Sequence, residues 1–331
     1  MKTSSVDAVL AAKPATVVWG CIPADRAPVL RVQSGDTVRI DTVSHGGLTR
    51  QDPVTHFAAA GIAADQVLPE AIAIHREVQR AQGMGVHVLT GPVHIEGAQP
   101  GDMLEVRVLD VAIRVPYGVN TTGPGYGVLP DLVREPVSKT IKLDFARGVA
   151  LFANGIDLPL APFMGIMAVA PRAELGTVST KPAGEWGGNI DFRHLVAGST
   201  LYLPVFNDGA LFYTGDGHAL QGDGEVDGTA IEISLTPTLQ FVLHKSAGAA
   251  MRWPRAEDAA HHYIMGMDGS LDIALKNAVS ETVAFLQRLA GLSAADAYAA
   301  ASLAVDFRIG EAVNGVKMVY GVVPKHIVTA R

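Results

Sequence analysis

The sequence predicts a mainly β fold, with sandwich-like or jelly-roll-like and barrel-like parts, followed by a C-terminal α+β portion. Three observations predict it. The chain holds 35 glycines and 19 prolines among 331 residues, a turn-rich composition that suits many short strands. From Val17 to about Val242 short apolar alternations recur between Gly, Pro and Asp. Only beyond that point does the apolar spacing become helical.

The strands follow a recurring device in which a turn precedes an alternating run. Ser34-Gly35-Asp36 leads into Thr37 to Val43, with alternate residues apolar. Pro100-Gly101-Asp102 leads into Met103 to Val111, where Leu104, Val106 and Val108 share one face. Ala197-Gly198-Ser199 leads into Thr200 to Val205, and Thr229 to Leu235 reads as a fourth strand. No fixed period links these units, so a solenoid or propeller is not indicated. Residues 114–136 hold too many glycines and prolines for one regular element and read as a lid or an interface loop. Leu271, Leu275, Val279, Val283 and Leu286 then keep helical spacing up to Gly291, a C-terminal stop. Ser293 opens a second helix through Leu303, and Val316 to Val323 reads as a closing strand ended by Pro324. The division expected is a β-rich catalytic body, 1–240, and an α+β cap, 241–331.

Composition narrows the function. Hydrophobic residues make up 48% and charged residues 18%, enough for a packed interior and little disorder. The net charge of −7, with no basic stripe, argues against nucleic acid and anionic membranes as partners. No run approaches the ~18 apolar residues of a membrane span, and the N-terminus makes a poor signal peptide, so a cytoplasmic protein is expected. The single Cys21 excludes an intrachain disulfide and a cysteine-rich zinc site. Any bound metal must therefore rest mostly on His and carboxylates.

The richest chemistry lies in Thr214 to Glu225, TGDGHALQGDGE. Asp216 and His218 stand two apart, so in an extended chain both point to one side, a pairing suited to a divalent metal. Asp223 and Glu225 repeat the spacing. A polar Asp-Gly turn is the plainer reading. Gly187-Gly188-Asn189-Ile190-Asp191 offers backbone N–H groups for an anion or oxyanion, an amide and a carboxylate. In His87 to Gly97, His94 and Glu96 share a strand face, and apolar neighbours would raise the Glu96 pKa toward acid–base work. Ser44-His45-Gly46-Gly47 is a fourth candidate. No nucleophile elbow, P-loop or His-Glu-x-x-His motif is present.

Together these segments resemble the acetamidase/formamidase family. The carrying stretches are WGCIPADRAPVLRVQSGD (19–36), TGPVHIEGAQPGD (90–102), APFMGIMAVAP (161–171), GGNID (187–191), LYLPVFNDGALF (201–212) and GDGHALQGDGE (215–225). The Ser44-His45-Gly46-Gly47 form, where formamidases tend to carry a Gly-Gly-Gln ending, is similar to members described as γ-lactamases. His94 stands where other members have tyrosine. The resemblance implies hydrolysis of a small carboxamide, or ring opening of a lactam, by a homo-oligomer. It gathers His87, Glu96, Asn189, Asp191, Asp216, His218, Asp223 and Glu225 into one site or its surroundings.

An amide resists water because resonance stabilises it and its amine leaves poorly, so a catalyst must activate water, hold the oxyanion and protonate nitrogen. The expected arrangement is a zinc-type site. Asp191, Asp216 and His218 would be the principal ligands, with His87 as a fourth or as a support behind them, and calcium as a structural alternative. Glu225 or Glu96 would move the water proton, Gly188 and Asn189 would hold the oxyanion, and Asp223 would assist. A metal-free carboxylate-dependent amidase and a non-enzymatic ligand-binding β-sandwich are the competing readings.

Overall fold

The computed structural model describes residues 6–328. The chain folds as stacked β-sheets, in keeping with the mainly β expectation. A nine-stranded sheet runs in the order Ala8–Leu10, Thr37–Ile40, Leu235–His244, Met103–Ile113, Thr200–Pro204, Arg255–Glu257, His261–Asp268, Lys317–Pro324, Asp306–Glu311. A seven-stranded sheet holds Ala183–Gly184, Gly187–Asn189, Phe163–Ala168, Phe212–His218, Val88–Ile95 and Val17–Trp19, with Leu30–Val32 pairing parallel to Val88–Ile95. Leu104, Val106, Leu239 and Phe241 of the first sheet share one buried cluster with Val93, Ile95, Phe163 and Phe212 of the second. The Phe212 and Phe241 rings meet edge to face at 5.0 Å, the geometry aromatic quadrupoles favour. The far face of the seven-stranded sheet is also covered, by a cluster containing Ile22, Leu89, Ile166 and Tyr213. Burial on both faces explains why Phe212–His218 is buried throughout rather than alternating.

The expected turn–strand units at 37, 103 and 200 all form strands. The fourth does not. Within Thr229 to Leu235 only isolated bridges form, from Glu232 to Val119 and to His218, and regular pairing begins at Leu235. The alternation there is real, but its one charged residue turns inward to the site described below. Residues 114–136 include the strand Tyr117–Thr122, which pairs with Val137–Asp144 in a four-stranded sheet. After it, Gly127 passes so close to Val226 that a Cβ would lie 2.5 Å from the Val226 carbonyl oxygen.

Two helices form as the spacing indicated, Leu271–Ala290 and Ala294–Ala304; two shorter ones, Pro53–Ala58 and Pro69–Glu77, interrupt the stretch read as strands alone, each opened by a proline at its first turn. Gly291 ends the first with a left-handed φ of 67°, and the Ser293 hydroxyl caps the second by accepting from the Asp296 N–H at 3.1 Å. Gly266 lets the first helix approach the sheet, since a Cβ there would lie 2.0 Å from the Ala278 nitrogen. The nine-stranded sheet runs through the 240/241 boundary: Leu235–His244 lies on one side of Met103–Ile113, and strands from 255 onward lie on the other. Among the described residues no helix is long and apolar enough to cross a membrane.

Candidate active site

A cavity of about 790 Å³ opens above one end of the seven-stranded sheet, and its floor is built from histidines and carboxylates. The strand Phe212–His218 supplies Asp216 and His218, the latter fully buried beneath the floor with its ring edge-on to Phe163 at 5.0 Å. The neighbouring strand makes the room. Met164 pairs with Gly217 and Ile166 with Gly215, which sets Gly165 across from Asp216. A Cβ on Gly165 would lie 2.7 Å from Asp191 Oδ1, 2.7 Å from His218 Cε1 and 2.8 Å from Asp216 Oδ2. Asp191 follows the Gly187–Asn189 strand and is anchored by its own N–H to Gly165 O at 3.1 Å and by Gln221 Nε2 on its carbonyl at 2.8 Å. Asp191, Asp216 and Glu225 all have positive φ, at 43°, 59° and 45°. That backbone region is costly for residues with a Cβ and persists where surrounding structure enforces it, often at functional sites. The pairing expected for Asp216 and His218 is present, with Nε2 to Oδ2 at 3.4 Å. It is reached through this left-handed turn rather than a plain extended strand.

Three further elements close the floor. His45, on the turn after Thr37–Ile40, places Nδ1 3.3 Å from Asp216 Oδ1 and 3.8 Å from Glu232 Oε2. His87, just before Val88–Ile95, places Nε2 3.7 Å from Asp216 Oδ2. Glu232 reaches His218 Nε2 at 3.4 Å, and Asp191 Oδ1 lies 4.0 Å from the same nitrogen. The C-terminal portion also contributes. The Asn314 side-chain N–H₂ lies 3.0 Å from Asp191 Oδ2, 3.1 Å from Glu311 Oε2 and 3.4 Å from Glu225 Oε2. The loop that carries Glu225 is fixed to that portion, with Gly224 N–H donating to Gly310 O at 2.9 Å.

These separations test whether a metal fits. Ligand atoms about 2.0–2.2 Å from a tetrahedral ion stand about 3.3–3.6 Å from one another. His218 Nε2 stands at that spacing from Asp216 Oδ2 and Glu232 Oε2, and His45 Nδ1 stands at it from Asp216 Oδ1, with Glu232 Oε2 slightly farther at 3.8 Å. His45 Nδ1, Asp191 Oδ1, Asp216 Oδ1, His218 Nε2 and Glu232 Oε2 are also buried without a hydrogen-bond partner. Unpaired buried polar atoms are expensive, and several aimed at one point fit a shared cation. Three overlapping groups have that convergence: His45, His87 and Asp216; Asp216, His218 and Glu232; Asp191, His218 and Glu225.

The charges act strongly on one another. Burial works against the Asp216 charge, but His87, His218 and His45 outweigh it and hold that carboxyl well below its usual range. His218 is desolvated, yet Glu232 and Asp216 push its pKa well up. Burial dominates at His87, whose pKa falls to about 4 and whose ring is thus a neutral donor at ordinary pH. Asp191 and Glu225 are raised well above the carboxylate range, first by burial and then by neighbouring carboxylates such as Glu311.

The structure brings together six of the residues singled out from sequence: His87, Asn189, Asp191, Asp216, His218 and Glu225. Asn189 lines the cavity with its Oδ1 buried and unpartnered. Glu96 is not among them. It follows the Val88–Ile95 strand onto the surface, paired with Arg31 at 3.2 Å and His94 at 3.5 Å, and does not line the cavity. The reason is the strand itself: Ile95 is buried in the core, which leaves the next residue outside. Asp223 also stays out of the cavity and accepts the Tyr320 hydroxyl at 2.9 Å, tying the loop before Glu225 to the nine-stranded sheet. Tyr320→Phe should therefore lower stability by about 1 kcal/mol and reduce kcat by a few-fold through a looser Glu225. Thermal unfolding and steady-state kinetics check this; an unchanged kcat would show that the tie does not matter to Glu225.

Sequence reading undervalued His45 and missed Glu232, Glu311, Asn314, Gly165 and Thr180. Glu232 had a usable signal, a lone charge within the apolar alternation TAIEISL. Thr180 had none. Its buried hydroxyl lies 2.9 Å from His87 Nδ1, and it fits only because residue 85 is glycine, whose Cβ would stand 2.0 Å from Oγ1. A partner on Nδ1 fixes the ring and leaves Nε2 toward Asp216. Thr180→Val should cost about 10–100-fold in metal affinity or activity, and Thr180→Ser should restore it. Metal titration and turnover of both variants decide this; a fully active valine variant would contradict it.

The acetamidase/formamidase family model matches residues 62–181 and 176–329. An acetamidase of Mycolicibacterium smegmatis is 26% identical over 203 residues, 43% of this chain and 49% of that protein. A formamidase of Methylophilus methylotrophus is 31% identical over 198 residues, 43% of this chain and 47% of that protein. The chain thus matches these curated relatives over about half their length. The crystal structure of an acetamidase from Bacillus halodurans superposes with a TM-score of 0.79 at 28% identity, covering 96% of this chain and 98% of that one. A γ-lactamase from Delftia acidovorans shares the fold, with a TM-score of 0.60 at 20% identity over 96% of this chain and 90% of that one. With the family model spanning most of the chain, this protein belongs to the acetamidase/formamidase family.

Proposed function

We propose that this chain hydrolyses the C–N bond of a small carboxamide or a cyclic amide. The observation that carries the reading is the convergence of buried, partnerless His and carboxylate atoms, at the spacing of a shared cation, on the floor of a cavity in a chain of this family. Asp216, His218, Glu232, His45 and His87 would hold a divalent ion, and Asp191 would reach it through the His218 side. The imidazoles favour zinc over calcium, which prefers oxygen ligands alone. When bound, the ion supplies Lewis acidity toward a carbonyl and a lowered pKa for water.

The protein groups divide the remaining work. Glu225 faces the cavity, and burial with nearby carboxylates raises its proton affinity. That property suits a group that takes a proton from attacking water and passes it to the leaving nitrogen. Asn189 presents an amide whose N–H can donate to the carbonyl oxygen as it gains charge. Asn314 holds Asp191, Glu225 and Glu311 in register, so that Glu225 is aimed before substrate arrives. Protonation of nitrogen completes cleavage to a carboxylate and ammonia, or to an amino acid when the amide is cyclic.

The test is metal content together with turnover. Purified protein should hold zinc, release ammonia from acetamide or formamide or open a γ-lactam, lose that activity on chelation, and regain it with zinc. Undiminished turnover in exhaustively chelated protein would keep the amidase and remove the metal from it. We propose further that the protein works as a cytoplasmic homo-oligomer. The exposed Val128, Leu129, Leu132 and Val226 beside the cavity are the apolar surface that favours association, and sedimentation of the purified chain tests it.

A further inference from the structure

The cavity is far larger than a formamide or acetamide needs. About 790 Å³ lies in the range that encloses a drug-sized ligand. Its polarity is also divided. The floor gathers Asp191, Asp216, Glu225 and Glu232, whereas among the described residues the only lysine and arginine in its lining are Lys181 and Arg50. Both are exposed, and among the described residues neither stands within ion-pair distance of a carboxylate, so both are free to meet an anion. Each lies close in the chain to a residue of the floor. Arg50 follows His45 on the same turn-rich segment, and Lys181 follows Thr180, whose hydroxyl holds His87.

We propose that this cavity selects amides that carry a carboxylate at the end remote from the amide, with Arg50 and Lys181 as the residues that receive it. The inference rests on the hydrolase reading above and names its substrate class: monoamides of short dicarboxylic acids. The electrostatics give the orientation. Arg50 and Lys181 attract the carboxylate, and an amide anchored there by its charged end presents its other end, the amide, to the reactive floor. On a chain of net charge −7 these two cations also form a local region that attracts an anion. The reaction is the same hydrolysis. Water adds its oxygen to the amide carbon, the C–N bond breaks, and the products are a dicarboxylate and ammonia.

The experiment compares isosteres that differ in charge alone. For the metal-loaded full chain, kcat/KM is measured at low salt for succinamate and glutaramate against succinamide and glutaramide. The diamide values are halved for their two equivalent ends, and acetamide serves as the reference. The monoamides should be favoured by about tenfold, the yield of two partly exposed charge contacts. The preference should shrink as salt rises. In the Arg50→Gln/Lys181→Gln double variant the ratio should collapse toward one, chiefly through KM. Acetamide turnover with no preference for the charged amides would overturn this inference and leave the hydrolase reading standing. So would a preference that persists in the double variant. No turnover of any amide, acetamide included, would overturn both.

Discussion

Asp216→Asn is expected to abolish activity and most metal binding while leaving the fold intact. Asp216 is the hub of the floor, lying 3.3 Å from His45, 3.7 Å from His87 and 3.4 Å from His218. Asparagine keeps its shape but offers one neutral oxygen in place of a carboxylate. Three histidines then lose the anion that organises them, and a cation loses its central ligand. Outer partners of metal ligands already cost about 10–100-fold when removed. A shared ligand should cost at least about a hundredfold in affinity, and turnover should fall by more than about a thousandfold. The strand around it is paired through backbone atoms on both sides, so far-UV circular dichroism should be unchanged. A variant that keeps its metal and more than about a tenth of its activity would remove Asp216 from the centre of the site.

Gly165→Ala should be nearly as severe although it deletes no functional group. The added methyl would press on Asp191, His218 and Asp216 together, at 2.7, 2.7 and 2.8 Å. Residue 165 lacks a positive φ, so alanine fits the backbone and the effect is one of space. Overpacking a close-packed interior costs about 1–3 kcal/mol, and a misplacement near 1 Å at reacting groups costs about a hundredfold in rate. The expected result is a folded protein with at least about a hundredfold loss in both kcat and metal affinity. Normal kinetics from this variant would mean that the three side chains have slack that the structure does not show.

The candidate site was legible wherever its chemistry was concentrated in a few adjacent residues. Asp216 and His218 sit two apart, and Gly187 and Gly188 precede Asn189 and Asp191, so local spacing marks them. Glu96 shows the limit of that reasoning. Alternation places His94 and Glu96 on one face, but it does not say whether that face looks at the cavity or at Arg31 on the neighbouring parallel strand. Residues 229–235 show a second limit. Their alternation matches a strand, yet their backbone groups pair irregularly, Ile231 with Leu220 and Ile233 with Gly217, as the chain crosses the site. Glu311 and Asn314 stand about ninety residues beyond Glu225 in the chain. No local pattern connects them, because the link is the sheet that carries the C-terminal strands back beside the loop at Gly224.

The sequence by itself determined the mainly β class, the two terminal helices with their Ser293 and Gly291 boundaries, the resemblance to a family, and the central Asp216, His218, Asp191 and Glu225. Each of these depends on residues within a few positions of one another, where turn chemistry, periodicity and glycine freedom act directly. Tertiary structure alone decided that His45, Glu232, Thr180, Glu311 and Asn314 join them, that Glu96 and Asp223 stand apart, and that Arg50 and Lys181 line the same cavity. Those outcomes depend on which strands become neighbours. That choice is made by burying Leu104, Phe163, Phe212 and Phe241 in one shared core, a cooperative contribution spread over the whole chain that no short stretch encodes.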